Sequence, residues 1–597
     1  MRKRALLKKS AIRRAAALLV LFCIGLSGCG LNDGAYIPKE GESVNVEKIP
    51  TPDINGTNIY DKNSVYMYDD EESVVTMYLT VRKGSKSEGA NHTWEEVNTY
   101  SKYDYENMGI DRYKVEALLQ VGDEDGPAAG ELGFGSKVPN ALVQIRGWST
   151  SRHTQKSYKI TLRENAGEWR DQRTISLNKH VYDGLRFRNK FCFDLIKQIP
   201  DMISLRTQFV HLYVKDETKE APDKGFVDYG LFTQVEQPNT RFLRNHGLDT
   251  GAHFYKINYF EFFRYEDVIK LESDPTFNKA EFEKILETKG NNDHSKLIKM
   301  LEDLNDYSKP IEPIFEKYFN ADNYFTWLAF NILTGNYDTQ SRNFYLYSPL
   351  NSDTWYFIAW DCDDAFRRQE SVLGYKSDFG FEAGISNYWG AVLHNRVLRQ
   401  EKYRKMLDDK INEMREYLSA DRINAMAEKY RAVVEPYVYS APDVMYARLT
   451  RDKYDHVAKT LADEVELSYQ MYLEDLKKPR PFYLDVPLAE DGGIYYRWDI
   501  AFAEQESKIT YCFELARDHL FEDMIHKEDG LLFPEITLGN LKPGKYFFRV
   551  YATNDDGYTQ PAMTYYVSAD YIKHFGVQCF YVLENGEVEQ EETVDAG

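Results

Sequence analysis

The chain has 597 residues, of which 43% are hydrophobic and 14% aromatic, and its formal net charge is -21. This is the composition of a globular protein rather than a disordered one, and the length predicts two or three domains. Because a nucleic-acid binder needs a basic face, the acidic balance disfavours a nucleic-acid partner. The cysteines after residue 30 are widely scattered and form no CxxC pair, so neither a zinc site nor a disulfide framework is predicted.

The first 28 residues have the features of a lipoprotein signal peptide. Seven Lys or Arg residues among the first fourteen precede an apolar segment, 15–26, that is too short for a comfortable membrane span. Leu26, Ser27, Gly28 and Cys29 then resemble a bacterial lipobox. That resemblance implies cleavage before Cys29 and a lipid on its thiol, which would anchor the protein at the extracytoplasmic face of the cell membrane. An ordinary signal peptide or an uncleaved anchor is the alternative.

The segment 29–63 is rich in Gly, Pro, Asn and acidic residues and has no apolar periodicity. This pattern predicts a flexible spacer after the lipidated cysteine. A globular domain is expected to begin at 64, with its first strands over 74–81 and 113–121.

A possible phosphate-binding hairpin follows at 141–162, ALVQIRGWSTSRHTQKSYKITL. Its loop of small and hydroxyl residues leaves backbone N–H groups free to approach phosphate oxygens, although it matches neither a Walker loop nor GxGxxG. Strand alternation places Lys156 on the apolar side and Lys159 on the opposite side. If the apolar side lines a cleft, Lys156 is the candidate nucleotide lysine. A hairpin with surface lysines is the alternative.

The next segments predict a helix within 177–198 and strands over 208–214 and 230–235. In ordinary protein kinases a helix in this place supplies a glutamate that pairs with the strand lysine. No glutamate occurs in 177–198. Glu236 ends the last of these strands, where a kinase has the hinge that binds adenine.

The most informative segment is 331–367, NILTGNYDTQSRNFYLYSPLNSDTWYFIAWDCDDAFR. A helix is predicted over 321–334, followed by a loop with Asp338 and Asn343 five residues apart. Two aromatic strands, 343–348 and 355–360, then form a hairpin that would carry Asn343 and Asp361 to the same end. In kinases an aspartate accepts the substrate hydroxyl proton, an asparagine five residues on holds magnesium, and an aspartate beyond a hairpin completes the metal site.

Other interpretations of these polar residues exist. Asp338 and Asn343 also suit turn caps, and the acids of 361–364 also suit a solvated loop or a structural calcium site. Cys362, between two of those acids, is expected to be packed rather than nucleophilic.

Taken in order, these motifs resemble the CotH kinase family over roughly 74–391. The segments that carry the resemblance are RGWSTS, QKSYKITL, LNKH with RFRNK, DYGLFTQVE, NYDTQSRNFYLY and WYFIAWDCD. The resemblance implies an α+β, atypical kinase-like fold of two lobes that transfers phosphate from ATP to Ser or Thr of proteins, with Mg²⁺ or Mn²⁺. The implied site residues are Asp338 as the catalytic aspartate, Asn343 and Asp361 as metal ligands, Asp363 as a ligand or supporting acid, Lys156 as a phosphate contact, and Arg146, Ser149 and Glu236 in matching cleft segments.

The chain departs from the family pattern at two positions. Trp148 stands where the family commonly has a small or polar residue, and Arg367 stands where a glycine often follows the phenylalanine. Both changes leave the acids intact, but they bear on nucleotide access and on metal geometry.

The remaining chain predicts a helical region and a small β-domain. Residues 401–476 carry helical segments such as 403–417 and 421–433, which would complete a kinase-like domain spanning 64–478. Residues 480–568 alternate like a β-sandwich, and LKPGKYFFRVYATNDDG resembles a fibronectin type III strand and turn. A module of this kind positions or binds partners, or simply stabilises its neighbour. Residues 569–597 are expected to be a C-terminal extension.

The sequence therefore predicts a membrane-anchored kinase that acts on a protein substrate at or outside the cell surface. A catalytically silent surface protein that binds a protein or a glycan is the alternative, because ATP is scarce outside the cytoplasm. An AMP-donating nucleotidyltransferase would use similar groups and is a third possibility.

Overall fold

The computed structural model describes residues 58–372, 381, 383–503, 507–568 and 572–590. The predicted signal peptide, Cys29 and most of the predicted spacer lie outside the described residues. Within the described ranges, no helix is both long and apolar enough to cross a membrane. By their internal packing the described residues divide into two units, one made of 58–372 and 391–466 and the other of 381, 383–390 and 467–590.

An eight-stranded sheet forms the first part of the larger unit. Its strands are β1 (Val74–Arg82), β2 (Val115–Asp123), β3 (Gly126–Pro127), β4 (Ala141–Arg146), β5 (Ser157–Leu162), β6 (Thr174–Asn178), β7 (Thr207–Asp216) and β8 (Val227–Glu236). The strand order is β1-β7-β8-β6-β5-β4-β2-β3, and β1 also pairs with β2, so the sheet closes on itself. One side chain of every two on these strands points into a shared apolar core that includes Leu79, Ile145 and Ile160. This side of the sheet is therefore core.

A smaller sheet carries the segment with the candidate acids. It consists of β9 (His253–Ile257), β10 (Leu286–Thr288), β11 (Phe344–Ser348) and β12 (Tyr356–Ala359) in the order β10-β9-β11-β12. The α-helices of the described residues are α1 (Trp94–Thr99), α2 (Lys102–Met108), α3 (Arg188–Ile196), α4 (Thr240–Asn245), α5 (Lys279–Ile285), α6 (Ser295–Asn305), α7 (Ile311–Tyr318), α8 (Ala321–Leu333), α9 (Arg368–Val372), α10 (Val392–Leu398), α11 (Glu401–Tyr417), α12 (Ala420–Val438), α13 (Arg451–Lys459) and α14 (Leu461–Lys477).

Helix α8 is the central helix of the second part of this unit. Eleven of its residues are buried, as expected for a helix that is apolar around its whole circumference. It packs against β12 and α11. Helix α11 presents Tyr403, Leu407, Ile411 and Met414, which share one face at helical spacing. These contacts fix the start of the loop that carries Asp338.

In the described residues that follow α14, the regular secondary structure consists of strands. They are β13 (Leu488–Glu490), β14 (Gly493–Arg497), β15 (Thr510–Ala516), β16 (Met524–Leu531), β17 (Glu535–Leu538), β18 (Gly544–Thr553), β19 (Thr559–Pro561), β20 (Tyr565–Val567), β21 (Lys573–Phe575), β22 (Val577–Val582) and β23 (Val588–Gln590). One sheet has the order β13-β14-β17 and another the order β16-β15-β18-β22-β23. Phe513, Phe548 and Tyr496 are at the centre of the core of this region.

The fold confirms the predicted α+β class and the all-β character of the C-terminal region. The predicted β-domain ended at 568, but β22 pairs with β18 and the sheet continues to Gln590. Part of the predicted C-terminal extension is therefore sheet, because the apolar strand 577–582 covers the same core. The fibronectin type III assignment and the two kinase-like lobes stay predictions.

Candidate active site

The acidic site is built by α8 and the β11–β12 hairpin. Asn320 caps α8 by accepting a hydrogen bond from the Asn323 N–H, and Gly335 ends the turn after the helix with a φ of 63°. In the hairpin Phe344 pairs with Ala359, so Asn343 and Asp361 leave the ladder at the same end. The predicted helix and hairpin are confirmed, with ends shifted by one residue or not at all.

Asn343 and Asp361 both have left-handed backbone conformations, with φ values of 60° and 55°. Asn and Asp tolerate this region better than other side-chain-bearing residues. Phe366, a bulky residue, also has a positive φ of 54°. Strained backbone of this kind clusters at functional sites and is held in place by the surrounding structure.

Asp338 is half-buried and shares its two oxygens between two neighbours. Its Oδ2 accepts a hydrogen bond from Asn343 Nδ2 at 2.8 Å, and its Oδ1 pairs with the Arg342 guanidinium. Burial, with the charges of Asp364 and Asp361, outweighs the opposing charge and hydrogen bond of Arg342 and raises the pKa of Asp338 to about 7. A carboxyl of this kind exchanges protons near neutral pH, as general-base catalysis needs.

Arg342 is positioned by a second contact, because its Nη1 donates to the Tyr259 hydroxyl at 2.8 Å. The sequence analysis did not identify this residue. Its spacing of four from Asp338 was the available signal, although in a loop that spacing does not by itself indicate contact.

The acids beyond the hairpin have different electrostatic surroundings. Burial and the nearby Asp363 charge raise the pKa of Asp361 to about 6, although Arg146, His180 and Lys256 oppose the rise. Burial also raises the pKa of Asp363, but the hydrogen bond and charge of His180 outweigh it and leave this pKa below its ordinary value. His180 Nδ1 lies 3.6 Å from Asp363 Oδ2. Asp363 is therefore paired with His180, and its role as a ligand or a supporting acid stays a prediction.

These residues fit magnesium better than a metal that needs an all-protein cage. In the described part of the chain, no three His, Cys, Asp or Glu side chains converge as a closed metal site requires. Asp361 offers a buried carboxylate, and the Asn343 amide, which donates its N–H to Asp338, keeps its oxygen for a cation. Magnesium typically takes one or two carboxylates and fills its remaining positions with water and substrate phosphates.

A group of cations lies beside the acids. Arg146 ends β4 and Lys159 is on β5, while Lys256 on β9 pairs in register with Glu287 on β10 and with Tyr345 on β11. Burial lowers the pKa of Arg146, and the charges of Asp361 and Asp363 oppose that shift. The site thus combines carboxylates for a metal with several cations for an anion.

The Glu287 carboxylate interacts with the positive charges of several of these lysines. Burial raises its pKa, but the charges of Lys289, Lys256 and Lys159 outweigh burial and bring the pKa to about 2. Burial and the charge of Lys289 in turn lower the pKa of Lys159 to about 8, while Glu287 opposes the shift. In this chain the glutamate near the strand lysine comes from β10 rather than from α3.

The lysine chosen from the sequence lies on the other side of the sheet. Lys156 is buried, its Nζ donates to the Ser151 carbonyl at 2.6 Å, and the nearest acid that affects it is Asp104. The premise that the apolar side lines the cleft was wrong, because that side forms the closed core of the first sheet. Lys159 is on the opposite face, which it shares with Arg146, and Glu287 and Arg146 are among the charges that act on it.

The loop between β4 and β5 places Ser149 at the start of a short 3-10 turn, Ser149–Arg152. Gly147 enters the loop with a φ of 88°, and a Cβ there would lie 2.1 Å from Thr150 Oγ1. Arg112 donates to the carbonyls of Ile145 and Gly147 at 3.0 and 2.8 Å. The loop is therefore fixed beside Arg146, and a phosphate contact by Ser149 stays a prediction.

Glu236 is buried in an ion cluster of its own. It accepts from Arg206 Nη2 at 2.5 Å and from His246 Nε2 at 2.9 Å, while His246 Nδ1 lies 2.6 Å from Asp61. Burial raises the pKa of Glu236, but these partners outweigh it and bring the pKa to about 2. The carboxylate ties the segment before β1 to the end of β8, and its predicted cleft role is not supported by these contacts.

We predict that this cluster makes stability pH-dependent at alkaline pH. Burial lowers the pKa of His246, but Asp61 and Glu236 outweigh it and raise the pKa to about 9. The pKa of His246 is therefore higher in the folded protein than in the unfolded chain. Protonated His246 contributes about 3 kcal/mol to the free energy of unfolding below about pH 6.5, and this contribution is lost as the pH rises through about 9. Urea unfolding of wild type should show this loss between pH 6.5 and 9.5. His246→Gln should be less stable at pH 6.5 and should lack most of the loss; an equal loss in the variant would contradict the assignment.

Helix α3 clamps the loop that follows Asp361. Asn189 Oδ1 accepts from the Cys362 N–H at 3.0 Å, and Arg188 Nε donates to the Phe366 carbonyl at 2.9 Å. Arg188 is fully buried and also pairs with Asp183 and Glu370 at 2.5 and 2.7 Å. The polar residues that interrupt the apolar pattern of this helix therefore hold the loop that follows Asp361. Sequence spacing alone did not reveal these contacts.

The two departures from the family pattern have local explanations. Arg367 pairs with Asp364, and its charge lowers the pKa of Asp363 against the effect of burial. Trp148 is 37% exposed at the start of the β4–β5 loop, where Tyr103 packs on its edge. Neither side chain displaces Asp361 or Asn343 from the end of the hairpin.

Comparison with known proteins identifies the family of this chain. The family model described as CotH kinase protein matches residues 143–472, more than half of the chain and all of the candidate site. The chain is also similar to the inner spore coat protein H of Bacillus subtilis (strain 168), with 23% identity over 355 residues that cover 59% of this chain and 91% of that protein. The resemblance found in the sequence is confirmed, and the chain belongs to the CotH kinase protein family.

Proposed function

We propose that this protein is an atypical kinase that transfers phosphate from ATP to Ser or Thr of a protein substrate. The observation that carries the proposal is the convergence of Asp338, Asn343 and Asp361 on one end of a hairpin, with Arg146 and Lys256 close enough for Asp361 to act on their charges. Family membership adds support, since the family model covers these residues. In this proposal the eight-stranded sheet with α3 corresponds to one kinase lobe, and the smaller sheet with α8 to the other.

Each group has a distinct task in the proposed reaction. Asp338 accepts the proton of the substrate hydroxyl and orients that hydroxyl toward the phosphate. Asn343 and Asp361 would hold Mg²⁺ or Mn²⁺, which neutralises charge on the phosphate oxygens when bound. Arg146, Lys159 and Lys256 supply positive charge around the same oxygens. The Glu287 carboxylate offsets the repulsion among the lysines.

The nature of the transferred group separates the kinase from a nucleotidyltransferase. Incubation with ATP labelled at the γ-phosphate and, separately, at the α-phosphate tests this directly. Label transfer from the γ position alone would support the kinase. Transfer from the α position would replace it by AMP transfer, and no transfer with retained nucleotide binding would favour the silent binding protein.

We predict that Lys159, rather than Lys156, contacts the nucleotide. Lys159→Met removes a charge on the cleft face, so the nucleotide Kd should rise about tenfold, as expected for a charge-assisted hydrogen bond of about 1.5 kcal/mol. Lys156→Met should leave this Kd within about twofold and instead lower the melting temperature, because its Nζ bonds the Ser151 carbonyl. Calorimetric titration with ATP and Mg²⁺ measures both. Weaker binding in the Lys156 variant alone would restore the original assignment.

The location at the membrane rests on the lipobox resemblance around Cys29. Cys29→Ser should leave an uncleaved precursor that carries no lipid, since the thiol is the lipid acceptor. Metabolic labelling with a radioactive fatty acid measures the lipid. Labelling that persists in the variant would contradict the anchor.

A further inference from the structure

Basic and aromatic side chains of the β4–β5 loop cluster with residues from three other segments of the chain. They form a surface of two contacting groups, which meet at the chain neighbours Arg152 and His153: Trp148, Tyr103 and Arg152 in one, and His153, Tyr182 and Arg448 in the other. The rings of Trp148 and Tyr103 meet edge to face at 6.1 Å, and the Arg152 guanidinium lies 4.9 Å from the centre of the Tyr103 ring. His153 packs against Tyr182 at 4.8 Å, and Arg448 lies 6.0 Å from the centre of the Tyr182 ring. We call these six side chains the Trp148–Arg448 surface.

The charge of this surface is opposite to that of the whole protein. In the described part of the chain no ion pair joins Arg152 or Arg448 to a carboxylate. The two acids that follow Tyr103 in the chain have partners of their own, because Asp104 accepts hydrogen bonds from Ser101 and Glu106 pairs with Lys102 at 3.0 Å. A local positive surface thus stands on a chain with a net charge of -21.

The ionisation of His153 reports the same positive field. Burial lowers its pKa, and the charges of Arg448, Arg152, Lys156 and Arg186 lower it further. No acid opposes this shift among the principal influences on the ring.

The surface begins within two residues of the candidate site on two separate segments. Trp148 follows Arg146, whose charge acts on Asp361, and Tyr182 follows His180, which lies 3.6 Å from Asp363. Two extended residues span at most about 7 Å. A chain bound on the Trp148–Arg448 surface would therefore reach the acids with a few residues.

The far end of the surface is held rigidly. Asp443 pairs with Lys179 at 2.8 Å and accepts hydrogen bonds from Gln155 Nε2 at 2.7 Å and from the Leu231 N–H at 2.8 Å. The next residues, Val444, Met445 and Tyr446, are 43%, 80% and 43% exposed. Apolar side chains next to Arg448 thus extend the surface, and little ordering cost remains to be met on binding.

We propose that the Trp148–Arg448 surface binds an acidic segment of the protein substrate, next to the Ser or Thr that is phosphorylated. This inference rests on the proposed function for its link to catalysis, but the binding itself does not. Guanidinium groups recognise carboxylates, and exposed rings beside them pack on the neighbouring residues of a peptide. A long polyanion such as a nucleic acid fits less well, because the surrounding protein is acidic and would repel its ends.

The test uses the full-length chain and a fluorescein-labelled decapeptide of alternating Glu and Ala, followed by fluorescence anisotropy without nucleotide. Wild type should bind the peptide, with an affinity that falls as salt is added because exposed charges are screened. Arg152→Glu combined with Arg448→Glu should raise the Kd at least about tenfold, since it replaces two attractions with two repulsions. Arg415→Glu is the matched control, because Arg415 is 36% exposed on α11 in the same unit, and it should leave the Kd unchanged.

Further arms separate this proposal from the kinase proposal. Asp338→Asn should bind the peptide with the wild-type Kd. An inactive variant that still binds the peptide would support the assignment of the surface independently of catalysis. A decapeptide of alternating Lys and Ala, and a ten-nucleotide single strand, should bind at least about tenfold more weakly than the acidic peptide. No binding of the acidic peptide, an unchanged Kd in the double variant, or tighter binding of the Lys peptide or the oligonucleotide would overturn the proposal.

Discussion

Replacing Asp338 by asparagine should lower kcat by about 10²–10⁴, which is the usual contribution of a positioned general base. Asparagine keeps the shape of the side chain and a hydrogen-bonding oxygen, but it cannot take the proton of the substrate hydroxyl. The nucleotide Kd should stay within about threefold, because Asp338 contacts Asn343 and Arg342 rather than the cations that face the phosphates. Initial rates with ATP labelled at the γ-phosphate measure the first effect, and calorimetry measures the second.

The control for this experiment is Asp353→Asn. Asp353 is an aspartate in the turn at the other end of the same hairpin, 44% exposed and 3.8 Å from Lys299. It should keep wild-type rates, because exposed ion pairs contribute little to stability and it lies away from the acids. An Asp338→Asn variant with the wild-type kcat would show that Asp338 is not the general base. That result would remove the main support for the kinase proposal.

Replacing Asp361 by asparagine should abolish the dependence of nucleotide binding on the divalent metal and lower transfer by more than about 10³, since a bound metal contributes several kcal/mol to charge stabilisation. The reason is local, because Asp361 is the buried carboxylate that leaves the hairpin beside Asn343, with Arg146 close by. Titration of Mn²⁺ into the protein with ATP present, followed by water proton relaxation, measures metal binding. Asp353→Asn is again the control, and wild-type Mn²⁺ affinity in the Asp361 variant would show that the metal site lies elsewhere.

The local structure around the acids could be predicted from the sequence because each step depends on neighbouring residues. The apolar run of α8, its Asn320 cap and Gly335 define the helix, and aromatic runs around a polar turn define the hairpin. Asp338 and Asn343 are only five residues apart in the loop that follows, so their proximity can be predicted without any long-range contact. The hydrogen bond between them agrees with this.

Which face of the eight-stranded sheet is enclosed could not be predicted in the same way. Alternation shows that Lys156 and Lys159 lie on opposite sides of β5, but it does not show which side is enclosed. The pairing of β1 with β2, nearly forty residues apart in the chain, encloses the apolar side and leaves Lys159 with Arg146. Polar residues such as Arg188 and Asn189 were passed over for a related reason, because their partners, Phe366 and Cys362, lie more than 170 residues away.

The partners of Glu236 could not be predicted from the motif in which it stands. A strand that ends in Glu and Pro has the place of a kinase hinge, but the carboxylate is satisfied by Arg206 and His246. His246 and Asp61 lie outside the motif, and sequence spacing gave no sign that they meet the end of β8.

The central claim is that Asp361 and Asn343 complete a metal-dependent nucleotide site, and the most direct measurement is the melting temperature of the full-length chain with ATP. A ligand that binds the folded state raises its apparent stability by mass action. The account predicts a rise with ATP and Mg²⁺ or Mn²⁺ that is reduced without the metal and lost in Asp361→Asn. A folded wild-type protein with no shift under any of these conditions, or an equal metal-dependent shift in Asp361→Asn, would contradict it.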